Sequence, residues 1–108
     1  MKIAIYGKPY PNELNEEIEG ILDLIEKNGF EVDIYERYER YLNKEGHLKS
    51  GHPTFNREEI RILDYCCLIS VGGDGTLLDT VTLIGDSDVP VIGLNAGRLG
   101  FISSVSLD

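Results

Sequence analysis

Apolar and polar residues follow one another in blocks along the chain, and each block has the spacing of a strand or of a helix. Residues 3–6 form a short apolar run, which predicts a buried first strand. Apolar residues then recur at helical spacing from 14 to 25, with Asn12 as a candidate N-cap and residues 28–29 as a stop. Apolar and polar side chains alternate over residues 30–35, which predicts a second strand.

The second half of the chain repeats this pattern after an irregular stretch. Residues 36–56 are charged and rich in tyrosine, and they have room for a short helix. We predict a surface loop at the end of this segment. We also predict that its alternating Arg and Glu residues form a solvated face. Asn56 can cap a short helix that follows. Residues 66–71 predict a third strand that is buried on both faces, residues 77–84 a helix, and residues 90–94 a fourth strand.

Strands that alternate with helices predict a parallel sheet with helices packed on its faces. The length of 108 residues fits one domain. We therefore predict a Rossmann-like, three-layer α/β domain with a mainly parallel sheet. Ligands of such sheets bind beyond the carboxyl ends of the strands, where the strand order reverses. Two glycine-rich segments, 72–76 and 95–101, each follow a predicted strand directly, so both are expected at this edge.

The charge of the chain argues against several classes of partner. Nineteen acidic residues against ten basic ones give a formal net charge of −9, which disfavours nucleic acids and anionic membrane surfaces. No apolar run is long enough for a membrane span or a signal peptide, so we expect a cytoplasmic protein. The adjacent Cys66 and Cys67 are poorly placed for a mutual disulfide and are predicted to be free thiols. His47 and His52 lack the spacing of metal ligands, and no metal-ligating residue is predicted.

The segment Gly72-Gly73-Asp74-Gly75-Thr76 carries the candidate chemistry. Three glycines let a phosphate group approach the backbone, whose N–H groups can bind the anion. Thr76 can add a hydroxyl donor or cap the following helix. Asp74 has two explanations: it caps the helix or its own turn, or it is a general base for phosphoryl transfer. The glycine turn alone favours the structural explanation, and it fits neither the P-loop nor the Gly-x-Gly-x-x-Gly spacing.

The same five residues resemble the signature of NAD kinases, diacylglycerol kinases and sphingosine kinases, with 6-phosphofructokinases as more distant relatives. Residues 95–101, Asn-Ala-Gly-Arg-Leu-Gly-Phe, are similar to the Asn-x-Gly-x-Leu-Gly-Phe pattern of NAD kinases. The start Met-Lys-Ile-Ala-Ile is typical of bacterial members. The chain therefore resembles the N-terminal domain of an NAD kinase, with firm coverage of residues 69–101.

The resemblance implies a reaction and a site. Asp74 would be the base that acts on the adenosine 2′-hydroxyl of NAD to give NADP, with ATP or polyphosphate as donor and Mg²⁺ or another divalent cation as cofactor. The residues implied for NAD binding are Asp74, Gly75, Leu78, Asn95 and Phe101. Those implied for binding the phosphate donor are Gly72, Gly73, Gly75 and Thr76. Arg98 is either a phosphate contact or an exposed loop residue, and Phe101 either packs near the adenosine or anchors its loop.

The sequence also departs from the family. Many members have small residues and then a basic one after the first motif, whereas residues 79–82 here are Asp-Thr-Val-Thr and supply no positive charge. The family's β-rich C-terminal domain, with its Asn-Glu or Asn-Asp motif, is not found in residues 1–108. We therefore expect an N-terminal fragment with little activity alone and an exposed apolar docking patch. The full-length protein is expected to form a homo-oligomer.

Two other functions fit parts of the sequence. A lipid kinase of the diacylglycerol or sphingosine type would share residues 72–76, but residues 95–101 and the acidic composition argue against it. A non-catalytic nucleotide-binding or regulatory domain would use Asp74 only as a cap. Phosphorylation of NAD and loss of activity on replacement of Asp74 would distinguish an NAD kinase from both.

Overall fold

A six-stranded sheet in the order β3-β2-β1-β4-β5-β6 forms the centre of the molecule. The structure, a computed structural model, describes residues 1–58, 65–85, 89–94 and 102–105, and for Asp74 and residues 102–105 it describes the backbone alone. The strands are β1 (Lys2–Gly7), β2 (Glu31–Tyr35), β3 (Thr54–Phe55), β4 (Cys67–Val71), β5 (Val91–Leu94) and β6 (Ile102–Val105). Strands β1 to β5 pair in parallel, and β6 is antiparallel to β5. The predicted mainly parallel α/β fold is confirmed.

Helices connect the parallel strands. They are a 3₁₀ helix (Glu13–Glu17), α1 (Ile18–Lys27), α2 (Glu36–Lys44) and α3 (Asp74–Ile84). The chain moves outward from β1 through β2 to β3, and in the opposite direction from β4 to β5. Because such crossovers are right-handed, α1 and α2 cover one face of the sheet and α3 covers the other. This reversal creates a crevice between the carboxyl ends of β1 and β4.

The central strands and the helices that cover them form the core. Ala4, Ile5 and Leu68 on the two central strands have no exposed surface, and Ile18 and Leu22 of α1 are equally buried. Full burial of a large apolar side chain contributes roughly 1.5–3 kcal/mol relative to exposure. Because β1 and β4 are buried on both faces, they read in the sequence as continuous apolar runs.

The predicted ends of the first helical segment are confirmed. The Asn12 side-chain oxygen accepts a hydrogen bond from the Leu14 N–H at 2.9 Å, so Asn12 caps the helical segment as its spacing predicted. The segment begins as a 3₁₀ helix and continues as α1. Asn28 is its C-cap, and Gly29 follows with a φ of +89°, a conformation that favours glycine.

Residues 36–56 contain more regular structure than their sequence indicated. Tyr38 and Leu42, four residues apart, are buried and hold α2 against the sheet. The end of the segment, expected to be a surface loop, forms β3, where Phe55 pairs with Tyr35 and is fully buried. A two-residue strand is too short to show a periodicity. Asn56 accepts a hydrogen bond from the Glu58 N–H at 3.0 Å, as expected of a cap, and the rest of that predicted helix lies outside the described residues.

Two further predictions concern the state of the cysteines and the possibility of a membrane-spanning helix. Cys66 and Cys67 are free cysteines, both partly exposed. Within the described ranges, no helix is both long and apolar enough to cross a membrane.

Candidate functional site

The candidate site lies at the crevice between β1 and β4. Gly7, the last residue of β1, pairs with Val71, the last residue of β4, so the two following loops begin side by side. The loop after β1 (residues 8–12, the β1 loop) faces the glycine turn (residues 72–76). The glycine turn therefore lies where α/β sheets bind ligands. The second motif, residues 95–101, follows β5 but lies outside the described residues, so the predicted roles of Asn95, Arg98 and Phe101 stay predictions.

The fold itself requires a glycine at position 72. Gly72 has a φ of +142°, which side chains disfavour, and its N–H donates to the Leu94 carbonyl at 2.9 Å. A Cβ there would lie 2.7 Å from Thr76 Oγ1 and 3.1 Å from Thr76 Cβ. Backbone conformation and close packing thus explain Gly72 without reference to a ligand.

Gly73 and Gly75 have no such structural reason. Both are exposed, and a Cβ at either position would have no heavy atom of the described chain within 4 Å. Gly73 has an ordinary φ of −95°, and Gly75 lies in the first turn of α3. A glycine inside a helix costs about 0.5–1 kcal/mol relative to alanine. Close approach of a ligand to the backbone is a physical reason for omitting both side chains.

Asp74 is the first residue of α3, and Gly73 occupies the N-cap position without a side-chain cap bond. The hypothesis that Asp74 is the N-cap residue is therefore wrong, because α3 already begins at Asp74, three residues before the helix predicted over residues 77–84. The side chain of Asp74 lies outside the description, and its role as a base stays a prediction.

Thr76 connects the glycine turn to the β1 loop. Its side chain is buried, and its Oγ1 lies 3.3 Å from the Tyr10 hydroxyl. Its carbonyl accepts a hydrogen bond from Thr80 Oγ1 at 2.9 Å. The contact with the phosphate donor predicted for Thr76 stays a prediction. Tyr10 was not identified from the sequence; its only signal was a position between two prolines directly after a strand.

A buried hydrogen-bond network supports the β1 loop from behind. Asn15, which is 2% exposed, donates from Nδ2 to the Tyr10 carbonyl at 3.1 Å. It accepts a 2.7 Å hydrogen bond from the Tyr38 hydroxyl. Burial raises the pKa of Tyr38, so this hydroxyl remains a donor. The Tyr38 ring also covers Gly7, where a Cβ would lie 2.6 Å from the ring. The network thus sets the position of Tyr10 relative to the glycine turn.

Lys8, the one cation of the β1 loop, forms an ion pair with α3. Lys8 Nζ lies 2.6 Å from Asp79 Oδ2. Asp79 belongs to residues 79–82, the segment in which many family members have a basic residue and this chain has none. The hydrogen bond to Asp79 raises the pKa of Lys8. Both side chains are partly exposed, so solvent screens the pair. The sequence alone gave no reason to expect that Asp79 would be neutralised by Lys8.

Leu78 lies on the outward face of α3, one helical turn after Gly75. It is 68% exposed, which is unusual for a large apolar side chain. The sequence predicted both an NAD contact at this residue and an exposed apolar docking patch. The exposure of Leu78 is compatible with either prediction, and neither is tested by it.

The described residues do not form a metal site by themselves. Among them, no group of three or more His, Cys, Asp or Glu side chains is arranged to hold a metal ion. His52 instead contacts two carboxylates on different helices: its Nε2 lies 3.9 Å from Glu26 Oε1, and its backbone N–H donates to Glu39 Oε2 at 3.2 Å.

Comparison with known proteins decides between the kinase families. Residues 5–108 match the family described as the ATP-NAD kinase N-terminal domain. The chain belongs to the NAD kinase family. It is 38% identical over 105 residues to the NAD kinase of Flavobacterium johnsoniae, an alignment that covers 97% of this chain and 36% of that relative. This NAD kinase domain is also 33% identical to the NAD kinase of Bacteroides fragilis over 106 residues, covering 98% of the chain and 36% of the relative.

A third relative, the NAD kinase of Porphyromonas gingivalis, is 34% identical over 107 residues, with 96% of this chain and 35% of the relative covered. The chain thus spans little more than a third of the length of these curated NAD kinases. No solved structure matches it. The resemblance found in residues 72–76 and 95–101 is confirmed at the level of the family.

Proposed function

We propose that this chain is the N-terminal domain of an enzyme that transfers a phosphoryl group from ATP to the adenosine 2′-hydroxyl of NAD, giving NADP. The observation that carries the proposal is the pair of glycines at positions 73 and 75. They flank Asp74 at the strand-order reversal, and neither packing nor backbone conformation requires them. They leave the backbone open at the point where the family's signature residue begins α3.

Backbone N–H groups are the proposed contacts for the donor phosphates. The first N–H groups of a helix have no partner within it, and the first such bond at this end of α3 runs from Leu77 to Gly73 at 3.1 Å. The N–H groups before Leu77 can therefore point at an anion, and the helix dipole adds to the attraction. Such contacts suit a chain with a net charge of −9 whose Lys8 is already paired. Mg²⁺ would enter with ATP, and we assign no step to it.

Asp74 is the proposed general base. Its carboxylate would accept the proton of the 2′-hydroxyl as that oxygen attacks the γ-phosphorus of ATP and the bond to ADP breaks. Gly75 and Leu78, on the outward surface of α3, would contact NAD. Asn95 and Phe101 would complete this side of the site, and Gly72, Gly73 and Thr76 would lie on the donor side.

The remainder of the site is proposed to come from a C-terminal β-rich domain. The chain covers about 36% of its relatives, and we propose that residues 1–108 alone form little NADP. We further propose a cytoplasmic enzyme that is a homo-oligomer when full length. The alternative from another class, a regulatory nucleotide-binding domain, shares the crevice but requires no proton transfer at Asp74. The family match argues against the lipid-kinase alternative.

A hybrid enzyme tests the proposal. Residues 1–108 replace the matching segment of the Flavobacterium johnsoniae NAD kinase, and NADP formation is measured with NAD, ATP and Mg²⁺. We expect NADP from the hybrid and little from the 108-residue chain. Replacing ATP with polyphosphate, or NAD with NADH, identifies the donor and acceptor. An inert hybrid beside an active parent enzyme, or rapid NADP formation by the isolated chain, would contradict the proposal.

A further inference from the structure

A groove on α2 is not used by the proposed reaction. It has a volume of about 290 Å³ and is lined by Pro9, Arg37, Arg40, Tyr41 and Lys44, and we call it the α2 groove. Among the described residues, its lining includes three cations and no carboxylate. Three of the ten basic residues of a chain with a net charge of −9 therefore border a single groove.

The cations of α2 share one stripe of the helix, with Glu36 beside it, four residues before Arg40. Positions 37, 40 and 44 recur at three- and four-residue spacing and lie along one stripe. The carboxylate of Glu39 points elsewhere, because its Oε2 accepts hydrogen bonds from Asn43 Nδ2 at 2.6 Å and from the His52 N–H at 3.2 Å. The predicted solvated face is present, because Arg37 and Arg40 are exposed. The structure adds that both line a groove with Lys44.

The three cations also form no ion pair with another described residue. Within the described ranges, the ion pairs of basic side chains involve Lys2, Lys8 and His52 alone. Arg37, Arg40 and Lys44 are exposed at the rim of the α2 groove. Like charges at this spacing on one stripe repel each other. A bound anion would relieve this repulsion.

The lining indicates which anion fits. Arginine guanidinium groups bind phosphate oxygens through paired N–H donors, and lysine adds a further positive charge. The half-buried Tyr41 ring offers a flat surface on which a base can stack, and Pro9 adds apolar surface beside it. The volume of about 290 Å³ lies just below the range of about 300–1,000 Å³ that is usual for small-molecule sites.

We propose that the α2 groove is a second nucleotide site, which binds a nucleoside diphosphate or triphosphate through its phosphate groups. It is separate from the glycine turn but connected to it. Pro9 lines the groove, and the next residue, Tyr10, contacts the Thr76 hydroxyl at 3.3 Å. A ligand in the α2 groove would therefore contact the β1 loop, which in turn contacts α3.

Backbone NMR of the 108-residue chain, titrated separately with ADP, inorganic tripolyphosphate and adenosine, tests the proposal. We expect ADP to shift the amide signals of residues 37–44 at least as strongly as tripolyphosphate does, and adenosine to shift them weakly. Shifts confined to residues 72–76 would overturn the proposed nucleotide binding at the α2 groove while leaving the proposed function intact. If tripolyphosphate binds at the α2 groove and ADP does not, the assignment of a nucleotide site is overturned.

Charge variants supply the control. Each of Arg40→Gln and Lys44→Gln should weaken ADP binding at the α2 groove by about tenfold, as expected for loss of one charge-assisted phosphate contact. Both residues are exposed, so the fold should be retained. Lys27→Gln, an equally exposed charge change on α1, should have no effect. Equal weakening by all three variants would show nonspecific attraction and overturn the site.

Discussion

The Tyr10 hydroxyl lies 3.3 Å from the Thr76 hydroxyl, although 66 positions separate the two residues in the sequence. The contact joins the β1 loop to the first turn of α3 across the point where the strand order reverses. It places a partly exposed tyrosine beside a buried threonine, directly behind the glycine turn. The β1 loop and the glycine turn therefore act as one structural unit at the candidate site.

A double-mutant cycle measures this contact. Tyr10→Phe and Thr76→Val each remove one hydroxyl, and each should lower the free energy of unfolding by about 1 kcal/mol. Together they should cost less than the sum, with a coupling of about 0.5–1 kcal/mol, because the second change removes no further bond. Equilibrium urea unfolding of the chain gives the values. Thr76→Ser, which keeps the hydroxyl, should retain the coupling; strictly additive costs would show that the contact is not formed.

Replacement of single glycines separates folding from ligand approach. Gly72→Ala should lower the free energy of unfolding by about 2 kcal/mol or more, because a positive φ and a 2.7 Å contact oppose the side chain. Gly75→Ala should leave stability unchanged or raise it by about 0.5–1 kcal/mol, yet reduce NADP formation by the hybrid enzyme. Thermal unfolding and the NADP assay check both. Full activity in the Gly75→Ala hybrid would remove the case for ligand approach at that residue.

The buried pair of Asn15 and Tyr38 should stabilise the β1 loop. Tyr38→Phe leaves the Asn15 side-chain oxygen without the donor it has at 2.7 Å, which should cost about 1–3 kcal/mol because the group is buried. Tyr41→Phe, on the same helix and only half-buried, should change stability by less than about 0.5 kcal/mol. Urea unfolding of both variants provides the comparison, and equal effects would argue against the buried bond.

The Cys67 thiol should titrate late. Burial, with a smaller contribution from Cys66, raises its pKa from 9.0 to about 11. The folded chain therefore keeps this proton between pH 9 and 11 while the unfolded chain loses it, so the stabilising contribution is complete below pH 9 and is lost as the pH rises through about 11. In a Cys66→Ala background, the rate of Cys67 alkylation in the folded chain should rise only well above pH 9. In the chain unfolded by urea, the same rise should occur near pH 9. Identical profiles would contradict the burial.

The parts of the fold that could be predicted from the sequence are those whose burial or capping produces a local pattern of residues. Strands β1 and β4 are buried on both faces and read as apolar runs, and Asn12 is a cap that acts only two residues along the chain. Strand β3 has two residues, and β6 contains two serines, so neither shows a pattern. These strands form because neighbouring strands supply their hydrogen-bond partners, which depends on tertiary structure.

The candidate site divides in the same way. The glycine turn was identified because it is local and because its residues resemble a family signature. The contacts that support it are long-range: Lys8 with Asp79, Tyr10 with Thr76, and Asn15 with Tyr38. No spacing in the sequence encodes these pairs, because they depend on which loops the sheet brings together.

Asp74 is proposed to remove a proton during phosphoryl transfer, and kcat for NADP formation by the hybrid enzyme carrying Asp74→Asn measures this role. Asp23→Asn, an exposed change of the same kind on α1, is the matched control. We predict a loss of about 10²–10⁴-fold in kcat for Asp74→Asn, an unchanged circular dichroism spectrum, and a normal rate for Asp23→Asn. A hybrid enzyme with Asp74→Asn that forms NADP within twofold of the unsubstituted rate would contradict the account.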